Sequence, residues 1–267
     1  AQNFTKGIAT VNSFAGVAGA KVIPVDVGIN KDMSSVDGII NKKVAYGTKN
    51  MAIQAAMTKS ECIEAIIVGI EMVGNLKKDG FNMIITGEMG IGNTTTSSAV
   101  LSVLENIPVE KVTGRGAGLT KSGINHKIDV IKKAIAVNRP ESSDVIDVLS
   151  KLGGFDICAI TGAFLGGAIY HIPVIIDGFI SAVAADCAIR LSENCANYIF
   201  ASHVSAEPAG QMALSAIGKT ACINAGMCLG EGTGAILAAQ LFDYALAAYN
   251  ETADFDKAAF GHYTLLD

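Results

Sequence analysis

Tryptophan is absent from the 267 residues, aromatics make up 6% and charged residues only 17%. With so few rings, a base-stacking surface is not suggested. Net charge is −5 and no block of basic residues occurs, which argues against nucleic acid or an anionic membrane surface as partner. The six cysteines form no C-x-x-C pair, and several sit in apolar stretches such as Phe155-Asp156-Ile157-Cys158-Ala159. They read as buried free thiols of a reducing compartment rather than a disulfide framework. The four histidines show no H-x-x-x-H spacing, so neither a metal site nor a cofactor is expected. No secretory signal opens the chain, and a cytoplasmic location is expected. Ala1 is not an initiator methionine, so the start reads as truncated or processed. One uncharged run, Ile157 to Ile176, is long enough to span a bilayer. It contains Gly162, Gly166, Gly167, His171 and Pro173, and two buried strands joined by a short helix explain it better.

What remains is a chain half hydrophobic, with 29 glycines, long enough to bury one large α/β core. Phe4 to Ala20 reads as a helix, with Phe4, Ile8, Val11 and Val17 among its apolar positions. Lys21 to Gly28 reads as a strand, placed near an edge or a bulge by Pro24. Ile29 to Asn50 is polar and irregular, a long loop of the kind that often serves as a functional lid. Thr58 and Glu61 form a capping box that opens a helix whose buried face is Ile63, Ile66, Ile67, Ile70 and Val73. The stretch from Val100 to Leu152 is more polar and mostly helical, and includes a helix from Ser122 to Val137.

The last third repeats one theme: Ile157–Ile160, Pro173–Ile176, Tyr198–Ala201 and Cys222–Ala225 are apolar strands, each running into small, polar or acidic residues. Continuous apolar strands alternating with helices argue for a doubly wound parallel sheet covered on both faces. Ligands of such sheets sit at the carboxyl ends of the strands. Glu88, Asp177, Ser205, Glu207 and Glu231 collect on that one edge, which points to an enzyme.

The densest segment is Thr86-Gly87-Glu88-Met89-Gly90-Ile91-Gly92-Asn93-Thr94-Thr95-Thr96, preceded by the apolar run Phe81–Ile85. It reads as strand, glycine turn and helix N-terminus. Glycines let successive backbone N–H groups face one ligand, and the helix adds free amides and its positive dipole end, which together favour a phosphate. The turn is neither a Walker loop nor G-x-G-x-x-G. Gly230-Glu231-Gly232-Thr233-Gly234 is closer to a dinucleotide turn, but fewer than 20 residues follow Tyr249. The further strands of a dinucleotide fold have no room, so a dehydrogenase is disfavoured. Glu231 between two glycines reads either as a carboxylate open to substrate or as a helix-capping acid. Val112 to Leu119 is a second glycine cluster, read as flexible and exposed, with Arg115 as an anion contact. By residue type alone, Lys127 on a helix is solvated surface and Cys228 is packing. His203 is catalytic or structural, and Asp177 a ribose or structural contact.

The sequence resembles the nicotinate-nucleotide:dimethylbenzimidazole phosphoribosyltransferases of cobamide synthesis. The resemblance rests on GEMGIGNTT (87–95), VIIDGF (174–179), ASHVSAEP (201–208) and CLGEGTGA (228–235), with VTGRGAG (112–118) also fitting. It spans essentially the whole chain in order. It departs at the start, where family members carry a further N-terminal segment that helps form the base pocket. The resemblance implies transfer of phosphoribose from nicotinate mononucleotide to 5,6-dimethylbenzimidazole or a related base, giving α-ribazole 5′-phosphate and nicotinate. It implies Glu231 as the general base and Glu88 lining the same cleft, where its charge can stabilise the cationic character developing at C1′. Gly90, Ile91, Gly92, Asn93, Thr94 and Lys127 hold the phosphate, Asp177 and Ser205 border the nucleotide, and Gln2, Met89 and Leu229 line the base pocket. It further implies a homodimer and a Rossmann-like, mostly parallel sheet. The divisions are 1–20 near the base pocket, 21–235 as the α/β domain and 236–267 as a C-terminal helical part. Other benzimidazoles, purines or phenols stay open as acceptors. A non-catalytic nucleotide-binding or regulatory protein of the same fold stays open as the alternative function.

Overall fold

The computed structural model describes residues 1–252. In chain order its elements are α1 (Gln2–Thr5), α2 (Thr10–Ala18), β1 (Val25–Asp26), β2 (Ile40–Asn41), α3 (Lys59–Lys78), β3 (Ile84–Ile85), α4 (Asn93–Leu104), α5 (Val109–Val112), α6 (Lys121–Asn138) and α7 (Val145–Leu152). There follow α8 (Phe155–Tyr170), β4 (Val174–Ile176), α9 (Phe179–Leu191), a 3-10 turn (Glu193–Tyr198), β5 (Ile199–Ala201), α10 (Gly210–Ala216) and α11 (Thr233–Glu251).

The central sheet runs β3-β4-β5, all parallel, with Ile84 opposite Val174 and Val174 opposite Ile199. A parallel bridge from His203 to Ile223 extends it by one position. Both faces are covered, because strand side chains alternate. Val174 and Ile176 point into the main core with α8 and α9, while Ile175 packs with Ala235 and Ala238 of α11. A full burial of this kind contributes roughly 1.5–3 kcal/mol per large aliphatic side chain. All three strands end at the same edge, and the segments that leave them carry Thr86–Asn93, Asp177 and Ser202–Ser205.

α3 opens with the expected box: Thr58 Oγ1 accepts from the Glu61 amide, and the Glu61 carboxylate accepts from the Thr58 amide. Its face differs from expectation. Ile66 and Val73 are buried, whereas Ile63 and Ile67 are exposed. The reason is the α8 crossing, which is lined by glycine. A Cβ on Gly69 would collide with the Ala159 carbonyl, and one on Gly162 with that of Ile66. The two backbones touch there, so the interface is narrow and turns away from those isoleucines.

Four further expectations are corrected. Ile157–Ile160 is not a strand but part of α8, and the uncharged run is one buried helix followed by β4. An apolar run buried all round has no period to separate helix from strand. Cys222–Ala225 makes only the Ile223 bridge. The first helix is two, α1 and α2, broken around Gly7 with φ +72°, and Ile8 and Val17 are exposed. The Lys21–Gly28 strand shrinks to β1, which pairs in parallel with β2 inside the 29–50 segment. That segment is tied down by Lys43, whose Nζ lies 2.8 Å from the buried Asp26 carboxylate.

Cys62, Cys158, Cys187 and Cys195 are buried as expected, but Cys222 and Cys228 are exposed. α2 packs through Ala9, Val11 and Ala15 on Ile236 of α11, bringing the two ends of the described chain together. The helix that leads into the expected C-terminal part, α11, begins at Thr233, and residues 253–267, with His262, lie outside the described residues. No helix is long and apolar enough to cross a membrane among the described residues.

Candidate active site

The two glycine turns meet. A Cβ on Gly87 would lie 2.7 Å from the Glu231 carbonyl oxygen, one on Gly230 would lie 2.8 Å from Glu88 Oε1, and one on Gly232 would lie 3.1 Å from the Thr86 carbonyl. At Gly87 and Gly232 the two backbones pass within contact distance, and at Gly230 the neighbour is the Glu88 carboxylate.

The first turn leads into α4. Its N-cap is Gly92, left-handed at φ +82°, with no side-chain cap. The amides of Asn93, Thr95 and Thr96 fold back onto the carbonyls of Gly90 and Gly92. Those of Ile91, Gly92 and Thr94 have no partner among the described residues. Lys127 of α6 is buried rather than solvated, at 5% exposure. Its Nζ donates to Thr94 Oγ1 at 2.8 Å and to the Gly114 carbonyl at 3.2 Å. Burial pushes the ammonium below its usual range, partly opposed by Glu207. A buried cation beside open helix amides suits an anion. Gly114 itself is buried rather than flexible and exposed, because it abuts Glu207 and Pro208; Arg115 is exposed.

The second turn leads into α11. Glu231 has φ +63°, unusual for a residue with a Cβ, and its Oε2 accepts from the Val11 amide of α2 at 3.2 Å. Beneath it lies Asp177, at the end of β4 and 2% exposed. Its Oδ2 accepts from the Gly232 amide at 3.0 Å, and its Oδ1 from those of Gly234 and Ala235 at 3.0 and 3.1 Å. Burial raises the Asp177 carboxyl above its ordinary value, with His203 and the three amides opposing. Both oxygens are thereby engaged inside the protein. His203 is also buried; its Nδ1 is hydrogen-bonded to Ser202 Oγ at 3.0 Å, and its ring closes against Gly234.

Glu88 stands between the turns. Asn93 Nδ2 donates to it and also, at 3.0 Å, to Asp156 Oδ2. Burial pushes the Glu88 carboxyl up to about 7, and the charges of Asp156, Asp177 and Glu231 add to the rise. A carboxyl that titrates near neutrality in a cleft is a candidate functional group. Asp156 was not anticipated as part of this cluster. It and Asp177 are the two carboxylates in the run from 153 to 185, an isolation that flags it in sequence.

Ser205 is nearly buried, and its Oγ accepts from the Glu207 amide at 3.3 Å. Met89, Ile91 and Leu229 are exposed large apolar residues on the two turns. Gln2 is exposed on α1 and makes no side-chain hydrogen bond to this cluster among the described residues. Two shallow grooves, of about 760 and 450 Å³, lie elsewhere and carry no candidate residue. The described residues hold no group of three metal-ligating side chains.

The family model described as Phosphoribosyltransferase matches residues 1–260. The chain belongs to that family. It is 50% identical over 266 residues to the nicotinate-nucleotide–dimethylbenzimidazole phosphoribosyltransferase of Ruminiclostridium cellulolyticum, covering 100% of this chain and 75% of the relative. It is 48% identical to the protein of the same name from Acetivibrio thermocellus, covering 98% of this chain and 74% of the relative. The crystal structure of CobT from Thermus thermophilus superposes with a TM-score of 0.91 at 34% identity, covering 96% of this chain and 76% of that one. The chain is thus a phosphoribosyltransferase-family enzyme with the α/β fold of that structure.

Proposed function

We propose that this phosphoribosyltransferase moves phosphoribose from nicotinate mononucleotide to 5,6-dimethylbenzimidazole or a related base, releasing nicotinate and α-ribazole 5′-phosphate. The observation that carries this reading is the contact between the two turns, one with open amides and a buried lysine, the other with a left-handed glutamate. Gly90, Ile91, Gly92, Asn93 and Thr94, with Lys127, hold the phosphate. The pyridinium of the donor is already a good leaving group, so no acid or metal is needed at nicotinate. Glu231 takes the proton from one ring nitrogen while the other attacks C1′ from the opposite face, which converts a β bond into an α bond. Asp177 serves the site through the turn it caps, Glu88 and Ser205 border the nucleotide, and Gln2, Met89 and Leu229 receive the apolar base.

The same reading includes a cytoplasmic homodimer. The exposed apolar side chains Leu237, Leu241 and Tyr244, at helical spacing on α11, support a partner there. The test is chromatography of products after mixing the protein with nicotinate mononucleotide and a panel of bases. Expected is α-ribazole 5′-phosphate with stoichiometric nicotinate. Nucleotide binding without product would favour the non-catalytic alternative.

A further inference from the structure

Asp156 is a partly buried acid whose carboxylate has no cationic partner among the described residues. It lies in the first turn of α8, and a Cβ on Gly90 would collide with its Oδ2. Its one side-chain partner is Asn93, the backbone amides of Ile157 and Asp156 also favour its carboxylate, and no lysine, arginine or histidine faces it among the described residues. Burial raises its carboxyl above the ordinary value, while Asn93, the two amides and the helix N-terminus favour the charge. Asn93 is buried, it is the first residue of α4, and both hydrogens of its amide nitrogen go to carboxylates, one on Asp156 and one on Glu88. Both acceptors are acid oxygens, so the amide has one orientation that serves them. Glu88 Oε1 is thereby aimed at Gly230, next to Glu231.

We infer that Asp156 is a positioning residue that acts through Asn93 to hold the Glu88 carboxyl across the cleft against the Gly230–Glu231 turn. Two carboxyls on one donor also favour a single charge over two, which suits a site that must accept a phosphate dianion nearby. The titratable groups facing Glu88 are Asp156 from α8, Asp177 from the end of β4 and Glu231 from the second turn, all acids. The inference rests on the proposed function in one respect: Glu88 lines the reacting cleft.

The test is Asp156→Asn in the full chain. Expected is a roughly tenfold fall in kcat with KM for nicotinate mononucleotide within about twofold. The titration of Glu88, followed by NMR of ¹³C-labelled glutamate, should move toward the ordinary glutamate value, because a neighbouring negative charge is gone. Asn93→Ser cuts the same link from the other side. It should lower kcat about as much, move the Glu88 titration the opposite way through loss of the donor, and add little to Asp156→Asn in the double variant. Unchanged kcat and unchanged Glu88 titration in Asp156→Asn, with only a lower melting temperature, would overturn the inference. If that variant does not fold, wild-type values in Asn93→Ser overturn it. A wild-type protein that forms no product would refute the proposed reaction, and the Glu88 titrations would still decide the role of Asp156.

Discussion

α4 and α11 start alike: each follows a glycine turn and has a left-handed glycine N-cap, Gly92 at φ +82° and Gly232 at φ +90°, with no side chain of its own on the cap. They differ in what satisfies the free amides of the first turn. At α11 a carboxylate from inside the protein does so, with Asp177 accepting from Gly232, Gly234 and Ala235. At α4 no such acid is supplied, and the buried Lys127 stands beside Thr94 instead. One helix end is filled from inside the protein; at the other the amides of Ile91, Gly92 and Thr94 stay open beside a buried cation, with Glu88 and Asp156 held on the Asn93 side chain. The same local turn is therefore completed in two ways, and Asp177 at the end of β4 makes the difference.

The comparison breaks most visibly at Glu231. If the α11 turn carries a proton acceptor and the α4 turn holds the phosphate, Glu231→Gln loses about 10³-fold in kcat and still binds nicotinate mononucleotide nearly as wild type, by calorimetry. A large loss of binding would mean that the two roles are not separated.

A paired substitution comes next. Asp177→Ala leaves three buried amides unmet and should lower stability by about 2–3 kcal/mol in urea. Lys127→Met should leave stability unchanged or slightly higher, since burial already disfavours the ammonium, and raise the KM for the nucleotide about 10–100-fold. The reverse pattern would exchange the two assignments.

Glu88 sharpens the comparison through pH. Burial pushes its carboxyl from the ordinary 4.5 up to about 7, so between those values the folded state binds more protons. Stability contributed by the proton is present below about 4.5 and is lost as pH rises through about 7. Glu88→Gln should therefore be more stable than wild type at pH 8, by about 1–2 kcal/mol after allowing for partial exposure, with no gain at pH 4. Thermal melts at the two pH values check this.

The smallest effect separates the N-caps themselves. A Cβ on Gly92 meets nothing within 4 Å, whereas one on Gly232 would lie 3.1 Å from the Thr86 carbonyl. Gly92→Ala should cost about 1 kcal/mol for the left-handed backbone, and Gly232→Ala more. Equal costs would mean that the turns do not touch.

Much of this was legible in the chain. The capping box at Thr58, the strand–turn–helix at Ile84–Asn93, and strands ending in Asp177 and at Ala201 follow from local sterics and alternation. α8 was not, because a helix packed on glycine backbones and buried all round shows no amphipathic period. Asp156 was hidden for the same reason: just before Ile157–Ile160, a run read as a strand, it had no helix start and no turn above it. By residue type alone Lys127 read as solvated, as a lysine on a helix ordinarily is, whereas it is buried against Thr94 and Gly114, which lie 33 and 13 residues away in the chain.

By itself the sequence determined that this chain builds glycine turns at strand ends, gathers acids along one sheet edge and carries no basic surface, since these depend on residue type and near neighbours. Tertiary structure decided which helix end is filled and which is open, and that a lysine and a second acid lie under the α4 turn. Those outcomes depend on contacts such as Asp177 with Gly232 and Asn93 with Asp156, 55 and 63 residues apart, which only the packed sheet and its helices bring into reach.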